Sequence, residues 1–403
     1  QYSVTLEVGG QPLRALADTT SVELVVLSSE CNYWCGHNKT LYEPRKSRAH
    51  RDGPLGVALS LNSGNLYGHS AFDEYAIGEM KAFNQPFWEI TDANMIMLFK
   101  SNFNAIIGLG LISNKMDTLK LRAVTSYENS FQYALALMKL GVVSFSFCLD
   151  AEPGKPGYIT WRETVHLEQP QRFATISTIV DQPGFWLGTL KHVYLGDVPL
   201  GCMEGCGTIF DSTTPLLALP SSAHASFLHA IEEIPNACAD MRKLPALTFQ
   251  LGGHNFTLPP DSYLGNFRGA VAPGLAGRLG MGRGRLEGPA GACQPAILRM
   301  DLESSLGHTW VFGLPFFRSY YTVFVQGEHP RIHAAPSHGR CSLGRADLQT
   351  YAGGRATPRD IDASGIHLPI WMEQAKNNGQ LPNLHTGTLA RNFTRWHRPR
   401  KHK

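Results

Sequence analysis

The chain has 403 residues, a formal net charge of +3, 43% hydrophobic residues and eight cysteines. That length exceeds what one hydrophobic core supports, so two lobes are expected, and the apolar content is too high for a disordered chain. No uninterrupted apolar run reaches the roughly 18 residues that a membrane-crossing helix needs.

Gln1 lies directly on an opening strand, Tyr2-Ser3-Val4-Thr5-Leu6, as expected of a mature or trimmed chain. An apolar run (Leu13, Ala15, Leu16, Ala17) then leads into Asp18-Thr19-Thr20-Ser21 and on to a second run, Leu24 to Leu27. The pattern is strand, small polar turn with an aspartate, strand. Short apolar stretches follow at Ile106-Ile107-Gly108-Leu109-Gly110 and Val143 to Leu149, with a helical pattern between them at Ser130 to Leu140. The phrase then recurs: Ile209 and Phe210, Asp211-Ser212-Thr213-Thr214, and the run Leu216 to Leu219. A helical pattern at Ser222 to Ile234 comes next, then strands around Leu244 to Phe249, Val311 to Phe317 and Tyr320 to Phe324. Forty glycines and 25 prolines suit such a turn-rich β protein. Two copies of one aspartate turn, nearly half a chain apart, imply two related lobes with one carboxylate each. Facing each other, two such groups could share one proton and activate a water.

These segments and their order resemble the pepsin-like aspartic proteases along residues 1 to about 336. Ile106 to Gly110 and Trp310-Val311-Phe312-Gly313 resemble that family's two apolar-apolar-Gly segments. Gly201-Cys202-Met203-Glu204-Gly205-Cys206 resembles the small loop leading into its second aspartate. Leu244 to Phe249, Leu258-Pro259-Pro260 and Tyr320 to Phe324 also fall in the family's order. The resemblance implies an all-β, bilobal fold. An N-terminal lobe over 1–160 would carry Asp18 and a flap hairpin near Leu61 to Gly68. A C-terminal lobe over 161–340 would carry Asp211, with a basic, flexible extension over 341–403.

It also implies a mechanism. The ionised member of the Asp18–Asp211 pair would act as general base on a water, while the protonated member polarises the scissile carbonyl. Which aspartate plays which part belongs to the coupled pair. Thr19 and Ser212 match positions that brace the two turns, and Ser21 and Thr214 match positions that hydrogen-bond the carboxylates from outside. The implied activity is peptide-bond hydrolysis in extended polypeptides, with no cofactor and no metal. Implied disulfides are Cys31–Cys35, Cys202–Cys206 and Cys238–Cys293. Cys148 and Cys341 form a further pair or remain buried thiols. So many cysteines, with sequons at Asn38, Asn255 and Asn392, point to glycosylation and to secretion or a lumen of the secretory and endolysosomal pathway.

Four positions depart from the family. Thr20 and Thr213 replace its usual glycines and add β-branched bulk. The flap tyrosine position is Leu61, for which Tyr67 can partly substitute, and its tryptophan partner falls at Val25. Leu314 follows Gly313 where the family often has a polar residue. Two readings stay open: an active endopeptidase, and a catalytically silent relative that binds peptides or proteins in the retained cleft.

Two regions fall outside the family plan. Gly265 to Gly291 is glycine-rich with Arg268, Arg278, Arg283 and Arg285, and reads as a mobile surface loop. From Gly344 onward ten Lys/Arg face four Asp/Glu, a net of +6, which leaves −3 on residues 1–343. The basic tail therefore suits an anionic surface or an acidic partner. No nucleic-acid partner and no transmembrane segment are expected, and a monomer is.

Overall fold

Strand alternation in the first residues is realised as a half-buried hairpin. In β1 (Ser3–Val8), Leu6 and Val8 are buried while Glu7 is exposed; β2 (Gln11–Asp18) returns antiparallel with Leu13 opposite Leu6. The computed structural model describes residues 2–31, 33–36, 39–61, 64–95, 98, 101–112, 136–152, 154–180, 182, 184–232, 234, 240–269, 273–279, 293–338, 342–343, 357–366, 368–375, 379, 381 and 387–390. They form two compact units, one built on Tyr2–Leu109 and the other on Val142–Leu381. Strands dominate both, as the all-β expectation requires.

The first unit continues with β3 (Leu24–Leu27), β4 (Arg51–Leu61), β5 (Gly64–Ile77), β6 (Met80–Met95) and β7 (Ala105–Gly108). Their order in the sheet is β1-β2-β7-β3-β6-β5-β4, with Gly387–Ala390 pairing on the outer edge of β4. Because β7 is inserted between β2 and β3, the two arms of the Asp18 turn never pair with each other. The β4–β5 hairpin ends where Leu61 pairs with Gly64.

In the second unit a 15-stranded sheet carries Asp211. It holds the same insertion: Gly307–Phe312 lies between Cys206–Phe210, parallel to it, and Leu217–Leu219, antiparallel to it. Aromatic side chains fill the space beneath the strands. Phe312 and Phe316 stack at 5.4 Å between centroids, and Phe210 meets Phe316 edge-on at 5.1 Å.

The second unit begins earlier in the chain than the boundary expected at residue 160. Ser144–Cys148 pairs with Tyr320–Val325, placing Phe145 opposite Phe324, and Tyr158–Trp161 adds to its other side. That edge is decided by a partner some 180 residues further on, which local patterning cannot show. The glycine-rich stretch and the extension also differ from expectation. Leu264–Arg268 is a strand, and Leu275 and Leu279 from Pro273–Arg278 and its end are buried. Arg359–Asp362 pairs in parallel with Leu264–Arg268, and Leu368, Trp371, Met372, Ala375 and Leu381 join the same core cluster. Both regions are poor in apolar residues, yet each offers just enough to complete the other's contact. Residues 280–292, with Arg283 and Arg285, and 391–403 lie outside the described residues.

Candidate active site

Two glycines build the two aspartate turns. In the first unit Asp18 ends β2 in register with Gly108 of β7, and Leu109 N–H donates to the Asp18 carbonyl at 2.7 Å. A Cβ on Gly108 would stand 2.3 Å from the backbone carbon of Val22. In the second unit Asp211 N–H donates to the Phe312 carbonyl at 2.9 Å, and Leu314 N–H to the Thr214 carbonyl at 2.9 Å. A Cβ on Gly313 would stand 2.2 Å from the Leu216 carbonyl oxygen and 2.3 Å from that of Thr214. Each turn is thus wrapped around a strand end that only glycine lets through. Gly313→Ala should therefore lower the melting temperature through a backbone clash worth on the order of 2 kcal/mol, the usual scale of overpacking. Unchanged thermal unfolding would refute that account of the turn.

The carboxylates receive matching bonds. Thr20 donates its backbone N–H (2.8 Å) and its hydroxyl (2.6 Å) to Asp18 Oδ1. Thr213 does the same for Asp211 Oδ1, at 2.7 Å and 2.7 Å. Sequence reading assigned these threonines bulk; what they add is a hydroxyl donor that the family's glycine lacks. Both are buried, at 5% and 3% exposure, so neither presents an open surface. Thr214 adds its N–H to Asp211 Oδ1 at 3.2 Å and its hydroxyl to Oδ2 at 2.6 Å. The equivalent Ser21 hydroxyl is buried and makes no hydrogen bond among the described residues. Thr19 and Ser212 are buried in their turns.

One contact at Asp211 has no counterpart in the sequence motifs. Trp371, on the helix Ile370–Ala375 of the extension, donates its indole N–H to Asp211 Oδ2 at 2.8 Å. Its ring meets Phe185 edge-on at 5.3 Å and is buried. Beside it, the sulfur of wholly buried Met372 lies 3.9 Å from the Thr214 hydroxyl. Asp211 thereby accepts five hydrogen bonds, about the full lone-pair capacity of a carboxylate, and is 0% exposed. Asp18 is only part-buried. The signal that could have located Trp371 is a lone apolar group, Leu368 to Met372, within a polar tail.

Around the flap, Leu61 closes the β4–β5 hairpin, and its side chain lies outside the described residues. Tyr67 is half-buried on β5, opposite Ala58 and Asp92. Val25, expected at the position of the family's tryptophan, is in register with buried Trp88 of β6. Leu314 is buried. Cys31–Cys35 and Cys202–Cys206 are disulfides. Cys148 is disulfide-bonded as well, while Cys341, Cys238 and the Cys293 side chain lie outside the described residues. Asn255 is exposed on strand His254–Leu258; Asn38 and Asn392 are outside the described residues. Among the described residues no helix is long and apolar enough to cross a membrane.

Comparison with known proteins agrees with this geometry. The family model for eukaryotic aspartyl proteases matches residues 1–272. Pepsin A of Bos taurus is 23% identical over 346 residues, covering 83% of this chain and 84% of its own. Renin-2 of Mus musculus is 24% identical, covering 80% and 77%. Cathepsin E of Rattus norvegicus is 24% identical, covering 84% and 80%. With two glycine-threaded aspartate turns and a match over most of its length, the chain belongs to the eukaryotic aspartyl protease family.

Proposed function

We propose that the chain is an aspartic endopeptidase of the secretory pathway whose described state is latent, closed at Asp211 by its own C-terminal extension. In the working enzyme Asp18 and Asp211 hold one proton between them and activate a water for attack on a peptide carbonyl. The observation that carries the reading is the matched pair of threonine bonds on Oδ1 of each aspartate. Two separate units spend buried hydroxyls on orienting the same atom, which a chain that merely capped two turns would not require. Latency rests on the five-fold bonding and full burial of Asp211, since a water cannot be activated by a carboxylate it does not reach. The disulfides and the exposed sequon at Asn255 support an oxidising, secretory route.

The second reading, a silent peptide-binding relative, is favoured by the same closure of Asp211. Incubating the purified chain with a denatured-protein peptide mixture across about pH 3 to 7, with mass-spectrometric readout, separates the two. Cleavage that appears anywhere in that window supports the enzyme. Intact peptides throughout, from the parent and from a variant lacking the Trp371 indole, leave only the binder.

A further inference from the structure

We propose that His50, just before β4, with Asp52 on β4, His69 on β5 and Glu89 on β6, forms a zinc-binding site on elements other than those that hold Asp18. His50 Nε2 lies 2.9 Å from Glu89 Oε2 and 3.9 Å from Asp52 Oδ1. His69 Nε2 lies 3.3 Å from the same Asp52 oxygen and 3.8 Å from the same Glu89 oxygen. Donor atoms of His50, Asp52 and Glu89 all fall within 4.8 Å of one another. Tetrahedral zinc, with bonds of about 2.0–2.2 Å, needs ligand atoms roughly 3.4 Å apart, and these four His–carboxylate separations lie within about half an ångström of that value.

The strands bring these groups together for identifiable reasons. His69 and Glu89 are direct cross-strand partners, so their side chains share one face. Opposite them β4 bulges: Asp52 pairs with Ala71, yet Gly56 already pairs with His69, which leaves two extra residues on β4. The bulge is pinned by Ser70, whose hydroxyl accepts from Leu55 N–H at 3.1 Å and whose side chain leaves room only for Gly53. It swings Asp52 and the preceding His50 to the same carboxylate.

Supporting contacts are those of a held ligand. Glu89 is 1% exposed, and its other oxygen, Oε1, accepts from the Ser28 hydroxyl at 2.6 Å, which leaves Oε2 for the cluster. Two carboxylates and two neutral imidazoles match one divalent charge. Mixed nitrogen and oxygen donors favour zinc over magnesium or calcium, which take all-oxygen shells. Asp52, 72% exposed, offers the ion a side of entry. The function implied is a clamp: one ion ties together the roots of the hairpin that ends at Leu61 and Gly64.

The test is calorimetric titration of zinc chloride into the metal-stripped full chain, with thermal unfolding recorded alongside. One equivalent of zinc should bind and raise the melting temperature, with excess magnesium failing to compete. Asp52→Asn, at an exposed position, should weaken binding at least tenfold without altering the zinc-free fold. His50→Gln with His69→Gln should abolish it, and exposed His254→Gln should leave it unchanged. No uptake by the parent chain would reduce the cluster to ion pairs and overturn the proposal. So would uptake that persists undiminished in Asp52→Asn.

Discussion

Asp18→Asn and Asp211→Asn should each reduce peptide cleavage by on the order of 10³-fold or more, about 4 kcal/mol of transition-state stabilisation. An amide cannot serve as the general base, nor complete a pair that shares one proton. Asp211→Asn should also cost stability. Asp18 is part-buried and accepts both Thr20 donors on one oxygen. Asp211 accepts donors on both oxygens, with two backbone N–H groups on one side and the Trp371 N–H on the other. Either orientation of an asparagine amide sets a donor against a donor, and leaving a buried group unsatisfied costs roughly 1–3 kcal/mol. Asp211→Asn should therefore melt below the parent, and turnover should be compared well below that transition. Parent-level cleavage in both variants would place the catalyst elsewhere and sink the paired-aspartate mechanism.

Trp371→Phe should raise turnover by about fivefold, since the net worth of one hydrogen bond is about 1 kcal/mol and 1.4 kcal/mol is a factor of ten. The phenyl ring keeps the contact with Phe185 but cannot donate to Asp211 Oδ2. A larger share of molecules then has that carboxylate open to water, so the gain should appear in kcat/KM as a population effect. Trp371→Ala should open the site further, at a loss of about 3–5 kcal/mol from the cavity beside Phe185. A fall in cleavage on Trp371→Phe would mean that the indole positions Asp211 productively, and latency would be wrong. If both variants fold and neither cleaves, the silent-binder reading replaces the enzyme.

Several parts of the site were legible because their physics is local. Asp18 and Asp211 were visible as an aspartate followed by hydroxyl residues between two apolar runs, and in both units that phrase folds into a strand, turn and strand. Gly108 and Gly313 were marked by the apolar residues on either side of them. The Cys31–Cys35 and Cys202–Cys206 disulfides close loops too short to depend on the rest of the fold. Trp371 could not be read in this way. Its partner lies 160 residues earlier, and the tail around its short apolar group is too polar to declare a core by composition.

The sequence by itself determined the two aspartate turns, the β character of both units and the family, since each rests on residues that act within a few positions of one another. Only the tertiary structure decided that Thr20 and Thr213 aim hydroxyls at the carboxylates, that the tail closes on Asp211, and that a bulge gathers His50, Asp52, His69 and Glu89. Those outcomes depend on side-chain rotamers and strand register. Both are selected by packing between segments far apart in the chain, where periodicity and propensity carry no information.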